Sequence, residues 1–231
     1  MTEGTAEERL DRFARLVAGD PTLVPLDRAA LALAGVLRGR TAEAPALAAL
    51  DELAAGVPER TFAGLRRHLY DDIGFTGDGR RFDDPVNSFL DLVLRRRRGL
   101  PILLATVMLE VGRRSGVGIV GIGMPMHFLV GDARDPDVLL DPFTGIGLDR
   151  SGARAQFDQL AGGRLAWDDR HLDPVPSGVI VARMLANLHG SFTRRNDAAR
   201  VAMVAMMRWR MAGLVTGPDP ALAGRVLAPF N

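Results

Sequence analysis

The chain has 231 residues, 47% hydrophobic and 25% charged, with a formal net charge of +1; that is an ordinary globular composition, and near neutrality it offers no field to draw in nucleic acid or an anionic membrane. It has no cysteine, which excludes disulfides, thiolate metal sites and thiol nucleophiles together. It has no lysine, so all 29 basic residues are arginine, which excludes Schiff-base chemistry and a phosphate-loop lysine; a GC-rich genome explains that absence more simply than selection does.

The N-terminus, MTEGTAEERLDRF, is acidic and amphipathic, unlike a signal peptide. No run reaches the roughly 18 unbroken apolar residues of a membrane span, so a cytoplasmic location and no membrane association are expected. Leu10, Phe13, Leu16 and Val17 predict a helix over 5–18, closed by Gly19 and Pro21. Further helices are predicted over 27–38, 44–55 and 58–70, the last with Phe62, Leu65 and Leu69 on one face. GFTGDGRRFDDP (74–85) reads as a loop. Residues 85–98 then read as one helix ending in RRRRG, with Gly99 as its cap. Pro101 opens the next helix, PILLATVMLEVG, apolar almost all round and therefore buried. After Gly116 the pattern becomes strand: VGIVGIGM, MHFLV and VLLDPF. Helix returns beyond Asp149, most clearly over 178–193 and 197–211. The fold class is α+β: a buried helix against a small antiparallel sheet, with helical layers before and after. The expected division is a helical layer over 1–73, a core over 74–150 and a helical extension over 151–231, forming one compact unit.

Two residues are out of place in the hairpin GMPMHFLVGDARDPDVLLDPF. If it closes symmetrically about Arg134, His127 and Asp141 stand opposite each other, with Cβ atoms roughly 4.5–5.5 Å apart. Phe128, Val130, Val138 and Leu140 then share the other face. The residues alone suggest a histidine–carboxylate pair beside a buried helix.

The ordered motifs IGFTGDGRRFDDPVNSFLDLVLRRRRGLPILL, EVGRRSGV, GIGMPMHFLV and LLDPFTG, with ARMLANLHGSF downstream, resemble the bacterial SirB-type invasion-regulator family, a branch of the transglutaminase-like superfamily. The resemblance covers about 70–195. It implies a papain-like core in which a catalytic cysteine opens the buried helix while His and Asp lie on neighbouring strands. The matching positions are His127 and Asp141. The cysteine position falls near Pro101, and many SirB-type members carry Ser or Thr at the position matching Leu103. This chain has neither residue there, so the resemblance implies a dyad without its nucleophile. Asn87, from P-x-N-S, and Arg97, Gly99 and Pro101, from R-x-G-x-P, are implied as cleft-lining or structural support.

Alternatives weigh less. A metal site from His127, Asp141 and Glu110 lacks any short ligand spacing, and Glu110 pairs more simply with Arg113 or Arg114 along its helix. No metal and no other cofactor is expected. RRRRG reads as a solvated helix end rather than a nucleic-acid contact, and GVGIVGIG leads from helix into strand, the reverse of a dinucleotide turn. Met203, Met206, Met207, Met211 and Trp209 read as core packing. The favoured function is a non-catalytic regulatory or protein-binding module that uses the old cleft for a protein or peptide partner. The same domain in some eukaryotic F-box proteins is compatible with that. The alternative is a cysteine-independent hydrolase or transferase acting on amide or peptide bonds through the dyad. An apolar plug from Leu100 to Leu103 opposite His127 favours the module, and an open polar cleft favours the enzyme.

Overall fold

Thr5 opens the first helix, α1 (Ala6–Leu16), by a capping box with Glu8, and Leu10 and Phe13 form its buried side. The computed structural model describes residues 4–211; the end of the expected C-terminal extension, 212–231, lies outside the described residues. The alanine- and leucine-rich α2 (Leu26–Arg38) is buried almost all round and stops at Gly39, whose φ of 76° is left-handed. It is followed by α3 (Glu43–Ala55).

The helix predicted over 58–70 starts later and ends differently. Thr61 caps it by accepting the Gly64 N–H, so α4 is Phe62–Arg66, and it runs into a π-helical turn, Arg67–Asp72. There the Ile73 N–H reaches back five residues to the His68 carbonyl, while the buried His68 ring meets the Leu53 carbonyl at 3.1 Å.

The stretch 74–99 departs furthest from expectation. The predicted loop contains β1 (Thr76–Gly77). The single helix over 85–98 is a 3-10 turn, Pro85–Ser88, followed by α5 (Leu90–Arg96). Arg97, not Gly99, takes the left-handed cap position, with φ 56°. Gly99 lies instead in β2 (Arg98–Gly99), which pairs parallel with β1. Close packing requires glycine there: a Cβ would stand 2.8 Å from a Val93 methyl group.

The central helix, α6 (Pro101–Ser115), is buried as expected, with Leu104, Val107 and Met108 all but inaccessible. Against it lies an antiparallel sheet in the order β3 (Ile119–Ile122), β4 (Leu129–Asp132), β5 (Leu139–Asp141), β6 (Ile146–Leu148). The fourth strand is absent from the sequence reading. One face, through Phe128, Val130 and Leu140, joins the main core with α6 and α8 (Ser177–Arg194). The other face, through Ile122, Leu129 and Leu139, packs on Ala153 and Phe157 of α7 (Arg150–Ala161). The architecture is α+β, and the sheet has helices on both sides.

The hairpin register differs from the symmetric one. Val130 pairs with Leu140 and Gly131 with Leu139. Continued, that register puts Leu129, not His127, across from Asp141. The shift is two residues, so every side chain keeps its face. Val138, expected on one face with Phe128, Val130 and Leu140, is exposed at the mouth of the loop while those three are buried.

The last described helix, α9 (Ala198–Arg210), splits the predicted methionine cluster. Met207 and Met211 are buried, whereas Met206 and Trp209 are exposed, because the helix presents only one side to α8. Among the described residues no helix is long and apolar enough to cross a membrane.

Truncating Leu104 removes a side chain from the centre of this core. Leu104→Ala is expected to cost about 2–5 kcal/mol, read as a lowered urea midpoint with an unchanged slope.

Candidate active site

After β3 the chain turns through 123–127 before entering β4, so His127 is in a turn rather than in the strand where it was expected. Met126 has φ 66°, a left-handed conformation that costs a non-glycine residue on the order of 1 kcal/mol or more. The turn is held from α8. Arg183, with no exposed surface, donates through Nη2 to the Met124 carbonyl at 2.8 Å and the His127 carbonyl at 3.1 Å. Its guanidinium also lies 5.6 Å from the centre of the Phe128 ring. A Cβ on Gly123 would stand 2.7 Å from that guanidinium, so a side chain there would have to displace it.

The imidazole reaches Asp141 from this turn, with Nε2 and Oδ1 2.9 Å apart. Asp141 ends β5 and is itself oriented: Oδ1 accepts the Phe143 N–H at 2.8 Å and Oδ2 accepts the Gln156 side-chain amide at 3.1 Å. Burial pushes the carboxyl up, but the hydrogen bond and charge of His127, together with the Phe143 and Gln156 donors, outweigh it. The carboxyl is held below its ordinary value. An ionised carboxylate only accepts, so in the neutral imidazole Nε2 carries the proton and Nδ1 the lone pair. No described residue bonds Nδ1, and the ring keeps 12% exposure.

Phe143 packs over Gly77 of β1, where any Cβ would collide with its ring, and its carbonyl accepts the Gly77 N–H at 2.8 Å. Tyr70 donates to the neighbouring Pro142 carbonyl at 2.9 Å. Burial and the Asp141 charge push the Tyr70 phenol up, so it stays a neutral donor.

His127 opens onto a pocket of about 270 Å³. Its apolar lining is Phe82, Leu100, Pro101, Ile102 and Met126; its polar lining includes Ser88, Asn187, Ser191 and an Asp83–Arg194 ion pair. Asn187 Oδ1 is buried there without a partner among the described residues. Leu103 points into the core and does not plug the cleft. The pocket is open, with an apolar side at the start of α6 and polar groups around it.

The remaining candidates separate. Pro101 lines the pocket; Gly99 and Asn87 lie behind its wall. Asn87 is fully buried: its side chain donates to the Arg81 carbonyl at 2.6 Å and accepts from Arg96 at 2.7 Å. Arg96 in turn meets Asp78 at 2.7 Å. Arg97 turns away and donates to the Ile73 carbonyl at 3.0 Å. Glu110 lies in a different network, with Arg113, Arg114 and Asp27. Arg114 binds Glu110, Asp27 at 2.5 Å and Asp51 at 2.8 Å, joining α6, α2 and α3. Glu110 therefore does not join His127 and Asp141, and no cluster of three metal-ligating side chains forms among the described residues. Arg183 and Gln156, which support the pair, escaped the sequence reading, as did the pocket residues Ser88, Met126, Asn187 and Ser191. Arg183 carried a signal: it is a cation between Val179, Ile180 and Leu185 in an apolar helix. Gln156, on a half-exposed helix, carried none.

The family model of the transglutaminase-like superfamily matches residues 29–186. A UPF0162 protein of Xylella fastidiosa (strain 9a5c) is 37% identical over 172 residues, 72% of this chain and 60% of that protein. A UPF0162 protein of Vibrio cholerae is 30% identical over 135 residues, 58% of this chain and half of that one. Mouse F-box only protein 21 is 33% identical over 90 residues, 38% of this chain and 14% of its own length. The chain thus spans at most about 60% of the length of these relatives. No solved structure matches it.

The lowered carboxyl of Asp141 couples folding to pH. Unfolded aspartate titrates near ~3.9, and the folded group titrates lower. Its contribution is complete above the unfolded value and is lost as pH falls through the folded one. In urea denaturation, the stability gap between wild type and Asp141→Asn should shrink as pH falls below about 4.

Proposed function

We propose a function from one premise: the chain belongs to the transglutaminase-like superfamily. Within it, the order of motifs favours the SirB-type branch, and the chain has no cysteine with which to work. We read the pocket at His127 as a site for acyl chemistry without a thiol, hydrolysis or transfer at an amide or ester carbonyl. His127 Nδ1 is the general base and Asp141 sets its tautomer.

One observation carries this reading. Nε2 is committed to Asp141 at 2.9 Å, which leaves the basic nitrogen of the pair without a partner among the described residues, in a ring that lines an open pocket. Arg183, Gln156 and the Phe143 N–H all act to fix that pair. An imidazole kept only for packing needs none of this orientation.

The second reading is the non-catalytic regulatory or protein-binding module, holding a protein or peptide segment in the same pocket. What favours it is the apolar run Leu100, Pro101 and Ile102 where the resemblance puts the cysteine. Proline there also removes one N–H from the helix start, which leaves fewer donors for an oxyanion.

Hydrolysis of an activated acetyl ester and of a panel of peptide amides separates the two. Wild type is expected to exceed background, with His127→Ala lower by on the order of 10²–10⁴-fold. Equal background rates for both proteins would leave the binding module.

A further inference from the structure

A general base needs a proton to remove, and the pocket that His127 lines is lined by a serine hydroxyl as well. We propose that Ser88 is the nucleophile that His127 activates, so that Ser88, His127 and Asp141 form a hydroxyl-based acyl-transfer site. The proposal rests on the general-base reading of His127.

Position comes first. Ser88 ends the 3-10 turn Pro85–Ser88, which Asp84 caps by accepting the Val86 N–H. Its neighbour Asn87 is fully buried and held at both ends of its side chain. The Asn87 carbonyl also accepts the Leu100 N–H at 3.1 Å. That bond sets residues 87–88 directly against the start of α6, beside the place where the resemblance puts a cysteine. Ser88 lines the same small pocket as His127 and Ile102.

Chemistry narrows the choice. Among the described residues, the hydroxyls lining this pocket are those of Ser88 and Ser191. Ser191 Oγ is committed, donating to the Asp83 carbonyl at 2.6 Å. Ser88 Oγ has no hydrogen-bond partner among the described residues, and with 3% of the residue exposed it is shielded from bulk water. The start of α6 adds one donor. Pro101 has no N–H, and Leu103 and Leu104 both donate to the Leu100 carbonyl, which leaves the Ile102 N–H free to meet a developing oxyanion.

The reaction balances without a cofactor. Ser88 Oγ bonds to the acyl carbon as its proton passes to His127 Nδ1, and the leaving alcohol or amine departs with that proton. Water then gives a proton to Nδ1 and attacks the acyl carbon; the acyl–Oγ bond breaks, Nδ1 returns its proton to Oγ, and the acid is released. The apolar side of the pocket, Phe82, Leu100, Ile102 and Met126, and its volume of about 270 Å³ fit a short apolar acyl group.

The chain has no cysteine, so a Ser88→Cys variant carries a single thiol. Its alkylation by iodoacetamide, followed against pH, should report a thiol titrating well below the ordinary ~8.5. Adding His127→Ala should return it to the ordinary value. Wild type treated with an alkyl fluorophosphonate should gain one phosphonyl group on Ser88 as fluoride leaves, located by peptide mapping and absent in His127→Ala and Ser88→Ala. A thiol of ordinary pKa that ignores His127, or wild type that gains no adduct on Ser88, overturns the proposal. If His127→Ala lowers ester hydrolysis but Ser88→Ala does not, water is the nucleophile: the general-base reading stands and Ser88 falls. If neither variant changes the rate, both fall together.

Discussion

A buried guanidinium holds this site together. Taking the Arg183 charge out of water costs several kcal/mol unless it is well bonded, and two of its acceptors are the Met124 and His127 carbonyls. These bracket Met126, the residue whose backbone is left-handed. Without that clamp the turn has no reason to keep a strained residue, and His127 has no fixed origin from which to reach Asp141. Arg183 belongs to α8, far along the chain from the hairpin. The helices that follow the sheet are therefore part of the site's support and cannot be treated as an appendage.

The arrangement orients an imidazole more carefully than it displays a nucleophile. Asp141 receives three donors, one from the base and two from its own turn and from α7. The start of α6, by contrast, offers only apolar side chains to the pocket. A thiol is activated by a helix end and a neighbouring imidazole through a lowered pKa, whereas a hydroxyl needs a base in contact with it. On the function proposed above, a chain without cysteine asks a different task of His127: accepting a proton outright where a thiol would only need polarising.

Much of this was legible in the sequence, and the failures have physical reasons. The unbroken apolar run after Pro101 could only be a buried helix, and it is one. The contact between His127 and Asp141 was readable although the register was not, because side-chain direction in a strand repeats every two residues. A two-residue error in loop closure thus preserves the face each side chain takes, and the turn before β4 brings the His127 ring to Asp141 although Leu129 stands opposite it. The fine structure of 85–99 was not readable: a four-arginine run ends a helix at several positions equally well, and the choice of Arg97 is made by contacts of Gly99 with Val93 and Asn87 from other turns. Arg183 was overlooked because arginine is ordinarily a solvent-facing residue; only its apolar neighbours on α8 marked it.

The arginine-only composition gains a structural meaning at Arg114. That side chain spreads its donors over Asp27, Asp51 and Glu110, carboxylates borne by three different helices. A guanidinium is a flat fork of five N–H groups with fixed directions, whereas an ammonium is a single point carrying three. Lysine at 114 would carry the same charge yet have one nitrogen to share among acceptors lying on several sides. The geometry of the helical layer is in that sense written in the shape of a cation, and electroneutrality alone would not reproduce it.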